Sequence, residues 1–180
     1  FASYMVVNLA ALAISQWLIL LSPPSGFMLF SLVAIFISLS LIPIAMTRLD
    51  QPQTSSHASI NVRQLYQVAP VGVVGSLVSG LAMGAFWGLA PVFAQRIGLE
   101  LIGISTLMSL VILGGAALQY PIGRYSDRHD RRRVLGKVTA AAAIVAVATL
   151  LLLQIWRDSL YPLMFLYGGL AFSLYPIFVC

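Results

Sequence analysis

Six apolar runs, each about as long as a bilayer core is thick, leave this chain little choice but a bundle of spanning helices. A spanning helix takes about 20 mostly apolar residues. Its backbone polar groups must be satisfied inside the segment, because lipid offers them no partner. The runs cover roughly 3–21, 27–47, 68–94, 99–121, 134–155 and 160 to the C-terminal end. The expected fold class is therefore all-α and polytopic. Charged residues make up 8% of the 180, against roughly a quarter in soluble domains, so composition excludes a soluble fold. Ser22-Pro23-Pro24-Ser25-Gly26 closes the first run. Pro and Gly mark most of the other breaks, since both interrupt helices.

The few charges decide how the runs are threaded. The link between runs two and three carries Arg48 and Arg63 against Asp50. The link between runs four and five carries Arg124, Arg128, Arg131, Arg132, Arg133 and Lys137 against Asp127 and Asp130. The first turn has no charge, and the other two balance Arg96 with Glu100 and Arg157 with Asp158. Positive excess alternates, which places the two basic links in the cytoplasm and starts the first run at the cytoplasmic face. The same distribution argues against nucleic acid as a partner, although the net charge is +5. The basic residues are spent on loops between spans rather than gathered on a docking face.

Metal and cofactor chemistry find no support. The single cysteine, Cys180, allows neither an internal disulfide nor a cysteine metal site. His57 and His129 lie in loops without a spaced partner and are expected to be solvated. The chain begins at Phe1 without an initiator Met and ends inside an apolar run. It reads as a piece of a longer polypeptide, whose remainder is an expected partner along with the lipid bilayer.

Polar side chains inside the runs recur at helical spacing. Tyr4, Asn8 and Ser15 share a face of the first run, with Gln16 beside it; Ser105, Ser109, Ala116 and Gln119 share one on the fourth. Runs two and five are nearly apolar all round and are expected at the periphery. Gly80, Gly84 and Gly88 form a small-residue stripe of the kind that lets helices approach closely. Gly168-Gly169 and Tyr175-Pro176 mark an expected weak point in the backbone hydrogen bonding of the sixth run. No run has an ionisable side chain in its middle. A proton relay would need one, so a proton-coupled carrier would have to hold it outside these runs.

The most specific stretch is Gly123-x-x-x-Asp127-Arg128-x-x-Arg131-Arg132-Arg133. It resembles the signature loop of the major facilitator superfamily (MFS), G-x-x-x-D-R/K-x-G-R-R/K-R/K, with Asp130 where the family usually has Gly. That loop, two apolar runs after a long polar link, is similar to the arrangement of family helices seven and eight. The six runs then match family helices five to ten of a twelve-helix fold. Residues 1–47 would be the last two helices of the N-terminal half and 48–67 the cytoplasmic inter-half loop. Residues 68–180 would be the first four helices of the C-terminal half. Among the branches, the chain is most similar to bacterial inner-membrane facilitators of unassigned substrate, which carry a stretch like Gly168 to Pro176 in the tenth helix.

The resemblance implies secondary transport of a small solute by alternating access, without enzymatic activity. It also implies a gating role for Gly123, Asp127, Arg128, Arg131 and Arg132. In the family the motif's acid meets the cytoplasmic start of a helix from the other half; here that start is Ala2 to Tyr4. Family helices seven and ten line the cavity, so the resemblance assigns Met83, Trp87, Phe172, Ser173 and Tyr175 to its wall. The alternatives are a facilitator-like receptor or scaffold that does not transport, and a polytopic enzyme. The enzyme would have to rely on Asp127, Asp130 and His129, which sit among arginines that keep the acids ionised.

Overall fold

The computed structural model describes residues 2–23, 25–47 and 62–179. The described residues form seven α-helices: α1 (Ala2–Ser15), α2 (Met28–Met46), α3 (Val62–Val68), α4 (Pro70–Arg96), α5 (Leu101–Asp127), α6 (Arg131–Leu152) and α7 (Leu160–Val179). A 3-10 segment, Gln16–Leu21, continues α1, and a shorter one, Arg157–Ser159, precedes α7. The described residues contain no strand. Four helices (α2, α4, α5 and α6) are long and apolar enough to cross a membrane. The expected inter-half link, with Asp50 and His57, lies mostly outside the described residues; its last part falls in α3, which runs into α4 at Ala69.

The core is built on α5, which packs most extensively against α7 and next against α1. Two glycine–carbonyl contacts explain the α5–α7 packing. A side chain on Gly114 would overlap the Phe165 carbonyl, and one on Gly168 would overlap the Val111 carbonyl. Gly169 sits just as closely on Leu118. The backbones approach because nothing projects between them. Gly168-Gly169 is therefore a packing site inside an unbroken helix and not the weak point expected there. The stripe Gly80, Gly84, Gly88 behaves in the opposite way: nothing in the described chain comes within 4 Å of where its side chains would lie.

α2 has no buried residue, in keeping with its uniform apolarity. α6 departs from the expectation of a peripheral position. Val134, Val138, Ala142, Val145 and Thr149 form a buried stripe along one face, and the helix packs on α7. Both its lipid face and its protein face are apolar, so hydrophobic periodicity cannot separate them.

α1 and α5 run antiparallel. Ala13 lies at Ser109, while Leu9, four residues earlier, clusters with Ile112 and is flanked by Ala116. Stepping back along α1 in that register brings its start roughly level with Tyr120. The start of α1 and the C-terminal end of α5 are therefore at the same end of the bundle.

Candidate functional site

Two regions carry the polar and charged groups: the corner between α5 and α6, and the seam where α1 meets α4 and α5.

At the corner, the signature stretch is not a loop. α5 continues through Gly123 to Asp127, and the turn itself is only Arg128, His129 and Asp130. Asp130 is the N-cap of α6: its Oδ1 accepts from the Arg132 backbone N–H at 3.0 Å. Its Oδ2 lies 3.7 Å from Arg133 Nε. Where the family pattern has Gly, this chain thus has a capping acid, which satisfies one of the free donors of the helix start. His129 stacks on Tyr125, one turn back, with ring centroids 4.1 Å apart. In its Nδ1-protonated form it donates to the Tyr125 carbonyl at 3.0 Å. This local lock is legible in the spacing of Tyr125 and His129, four apart on a helix end.

Asp127 is exposed and, among the described residues, has neither an ion pair nor a side-chain hydrogen bond. Arg128, Arg131 and Arg132 are exposed as well, and none of them holds Asp127. Nothing described lies within 4 Å of where a Gly123 side chain would be. The side chains at the start of α1 lie outside the described residues. By the antiparallel register, Asp127 is roughly 10 Å further along the axis than the level of that start.

The corner's charges also oppose its helices. A helix carries partial negative charge at its C-terminus and partial positive charge at its N-terminus. Asp127 occupies the last residue of α5, and Arg131 to Arg133 occupy the first turn of α6. Each is on the unfavourable end, so each gains from a partner beyond its own helix.

At the seam, the polar face of run four meets α1 on its Leu9–Ala13 side, while Asn8 and Ser15 of run one are exposed. Ser109 donates its hydroxyl to the Ala13 carbonyl at 2.8 Å, both groups being buried. Around it pack Leu9, Ala13 and Ile112, with Trp87, Ala116 and Phe172 against them. Of the expected wall residues, Trp87 and Phe172 come together edge to face at 6.2 Å. Phe86 joins them, 6.0 Å from Trp87 and 5.9 Å from Tyr167 of α7. Met83 is half-buried one turn away on α4. Ser173 is 2% exposed and donates to the Gly169 carbonyl at 2.7 Å, so its hydroxyl already has a partner. The Tyr175 side chain lies outside the described residues. Phe86 and Tyr167 were not anticipated; nothing in the spacing of these aromatics distinguishes them from lipid-facing ones.

The chain belongs to the Major Facilitator Superfamily, whose family model matches residues 1–179. It is 28% identical to the MFS-type transporter YcaD of Salmonella arizonae, over 98% of this chain and 45% of that protein. It is 26% identical to the MFS-type transporter Ent638_1421 of Enterobacter sp. (strain 638), with the same coverage of both chains. The chain thus spans less than half the length of these relatives. No solved structure matches it significantly. With four helices long and apolar enough to cross a membrane, this member of the family is part of a multi-pass membrane protein.

Proposed function

We propose that the whole protein is a carrier of the bacterial inner membrane that moves a small solute by alternating access, without enzymatic chemistry. One observation carries this reading: the asymmetry between the two contacts of α5. Toward α7 it is interlocked through Gly114 and Gly168, where no side chain fits. Toward α1 the described contact is a single side-chain hydrogen bond, Ser109 to Ala13, and a few apolar groups. In family terms α5 and α7 belong to one half and α1 to the other. A seam held by one side-chain hydrogen bond, beside a contact interlocked through glycines, suits rocking about a midplane site.

The corner supplies the latch in this reading. Asp127 sits at the same end as the start of α1, where unpaired N–H groups and partial positive charge await an acid. Docking there gains about 0.3–1 kcal/mol exposed and up to about 2 when partly buried. That shifts a shut-to-open ratio by something between under twofold and about thirtyfold. Arg128, Arg131 and Arg132 do not touch the acid here; their role in this reading is to keep the corner on the cytoplasmic side, and Gly123 leaves the neighbouring helix room to approach. Met83, Trp87 and Phe172 form the cavity wall contributed by this part of the chain, with Tyr175 in the same stretch. Their neutral, aromatic character suits a weakly polar solute.

Uptake of candidate solutes into proteoliposomes by the full-length protein tests the reading. Saturable, solute-specific uptake is the expected result. Tight binding of a solute with no flux would favour the receptor alternative.

A further inference from the structure

Charge in this chain is gathered at one place. Between Gly123 and Lys137 there are six basic residues and two acids, an excess of +4 where the whole chain carries +5. All eight of these side chains are exposed. Among the described residues a single ion pair involves any of them, Arg133 Nε to Asp130 Oδ2 at 3.7 Å, and the arginine side chain remains 84% exposed. Asp127 and Asp130 are too few to neutralise the cluster. The first turn of α6 adds its own partial positive charge, so the corner calls for an anion from outside the described residues.

Helical spacing sorts α6 onto two sides. Val134, Val138, Ala142, Val145 and Thr149 form its protein side. At about 3.6 residues per turn, Arg132, Arg133, Gly136, Lys137, Ala140 and Ala143 fall on the other side, and all six are exposed. Nothing described lies within 4 Å of where a Gly136 side chain would be. The first two turns therefore carry three cations around a gap. Below the gap the face continues through two alanines to Ile144 and Val147, which are 68% and 55% exposed. Lys137 is one turn below Arg133, about 6 Å along the axis. Its long stem lets the ammonium rise to the level of the arginines.

A cationic head above a shallow apolar track fits an amphiphile with a negative headgroup. We infer that this face of α6 seats an anionic phospholipid, its phosphate between Arg132, Arg133 and Lys137 and one acyl chain along Gly136, Ala140 and Ala143. Guanidinium groups bind phosphate oxygens in pairs, and small side chains let the acyl chain lie close to the helix. The acid beside the site, Asp130, has one oxygen taken by the Arg132 backbone N–H. Free phosphate would meet the same cations and gain nothing from the track. The assignment rests on α6 crossing a bilayer, for which it is long and apolar enough, and does not depend on transport.

Native mass spectrometry of the full-length, delipidated protein in mild detergent tests this. The probe is dioleoyl phosphatidylglycerol, with dioleoyl phosphatidylcholine as the net-neutral control and glycerol 3-phosphate as the control without acyl chains. The wild type is expected to bind phosphatidylglycerol about tenfold or more tightly than phosphatidylcholine, since each cation near an anionic headgroup contributes about fivefold. Arg133→Gln/Lys137→Gln removes two such cations and should lower phosphatidylglycerol affinity about 25-fold, leaving phosphatidylcholine unchanged. Gly136→Leu keeps every charge, fills the gap and should also weaken phosphatidylglycerol binding. Arg157→Gln, beyond the far end of α6, should bind as the wild type does. Thermal unfolding of each variant confirms that it is folded. Equal phosphatidylglycerol affinity in the wild type and in either α6 variant would overturn the assignment. So would equal binding of the two lipids by the wild type, the result expected if the rest of the chain covers this face. Glycerol 3-phosphate binding as tightly as phosphatidylglycerol would overturn it too, leaving a phosphate site without a lipid. No readout needs transport, so failure here is distinguishable from failure of the carrier reading.

Discussion

The Ser109 hydroxyl and the Ala13 carbonyl, 96 residues apart in sequence, meet at 2.8 Å in the middle of the bundle. On the proposed division into halves, the bond joins a helix of one half to a helix of the other. Its donor comes from a side chain and its acceptor from a backbone. It can therefore break and re-form without disturbing either helix's own hydrogen bonds.

Ser109→Ala is expected to cost little stability. Interhelical hydrogen bonds in membranes average about 0.6 kcal/mol, because the freed groups find other partners. The full-length protein's thermal unfolding temperature should fall only slightly. Ser109→Leu should cost more, since a larger side chain must be forced between Ile112 and Ala13, and overpacking typically costs about 1–3 kcal/mol.

Glycines give the sharpest contrast. Gly114→Ala and Gly168→Ala each place a methyl into the opposing backbone and should drive α5 and α7 apart, losing about 1–3 kcal/mol or more. Gly84→Ala meets no described neighbour and gains helix propensity. The yield of monodisperse protein in mild detergent should drop sharply for the first two. It should hold for the third.

Asp130 should tolerate Asn and not Ala. Asn caps a helix about as well as Asp, whereas Ala loses about 1 kcal/mol. Hydrogen exchange at the Arg132 amide would read the difference directly: slow in wild type and Asp130→Asn, faster in Asp130→Ala.

Asp127→Asn addresses the latch. It removes the charge without changing shape. Transport should slow several-fold, and the cytoplasmic side should stay open for longer. Cysteines placed at the cytoplasmic ends of α1 and α5 should label faster in the variant.

Much of this architecture can be read before any coordinates. Apolar run length locates α1, α2, α4, α5, α6 and α7, because lipid thickness leaves little freedom, although α1 ends at Ser15 and α5 runs on to Asp127. Polar spacing marks the contact face of α5, Ser105 and Ser109, but not that of α1, where Leu9 and Ala13 face α5 and Asn8 and Ser15 are exposed. What escaped sequence reading has a common physical cause. Inside lipid the solvent is as apolar as the core, so pattern cannot tell a packed face from a lipid face; α6 was misplaced for that reason. Small residues, not apolar ones, mark contact, and two candidate glycine sets compete for it. Only the positions of the facing carbonyls, Phe165 and Val111, decide between Gly114/Gly168 and the Gly80 stripe. At the charged corner, the family pattern suggested a loop. The helix-forming run Gly123 to Asp127 and the capping Asp130 made it a three-residue turn.

Pulsed electron–electron distance measurement tests the rocking of α1 against α5 most directly. Spin labels would be placed in the full-length protein in nanodiscs, one pair at positions 3 and 124 and another at positions 21 and 101. Two populations are predicted at each end, reciprocal between ends, with Asp127→Asn enriching the form in which the 3–124 pair is far apart. A single distance at both ends, unchanged by solute and by the substitution, would contradict alternating access across this seam.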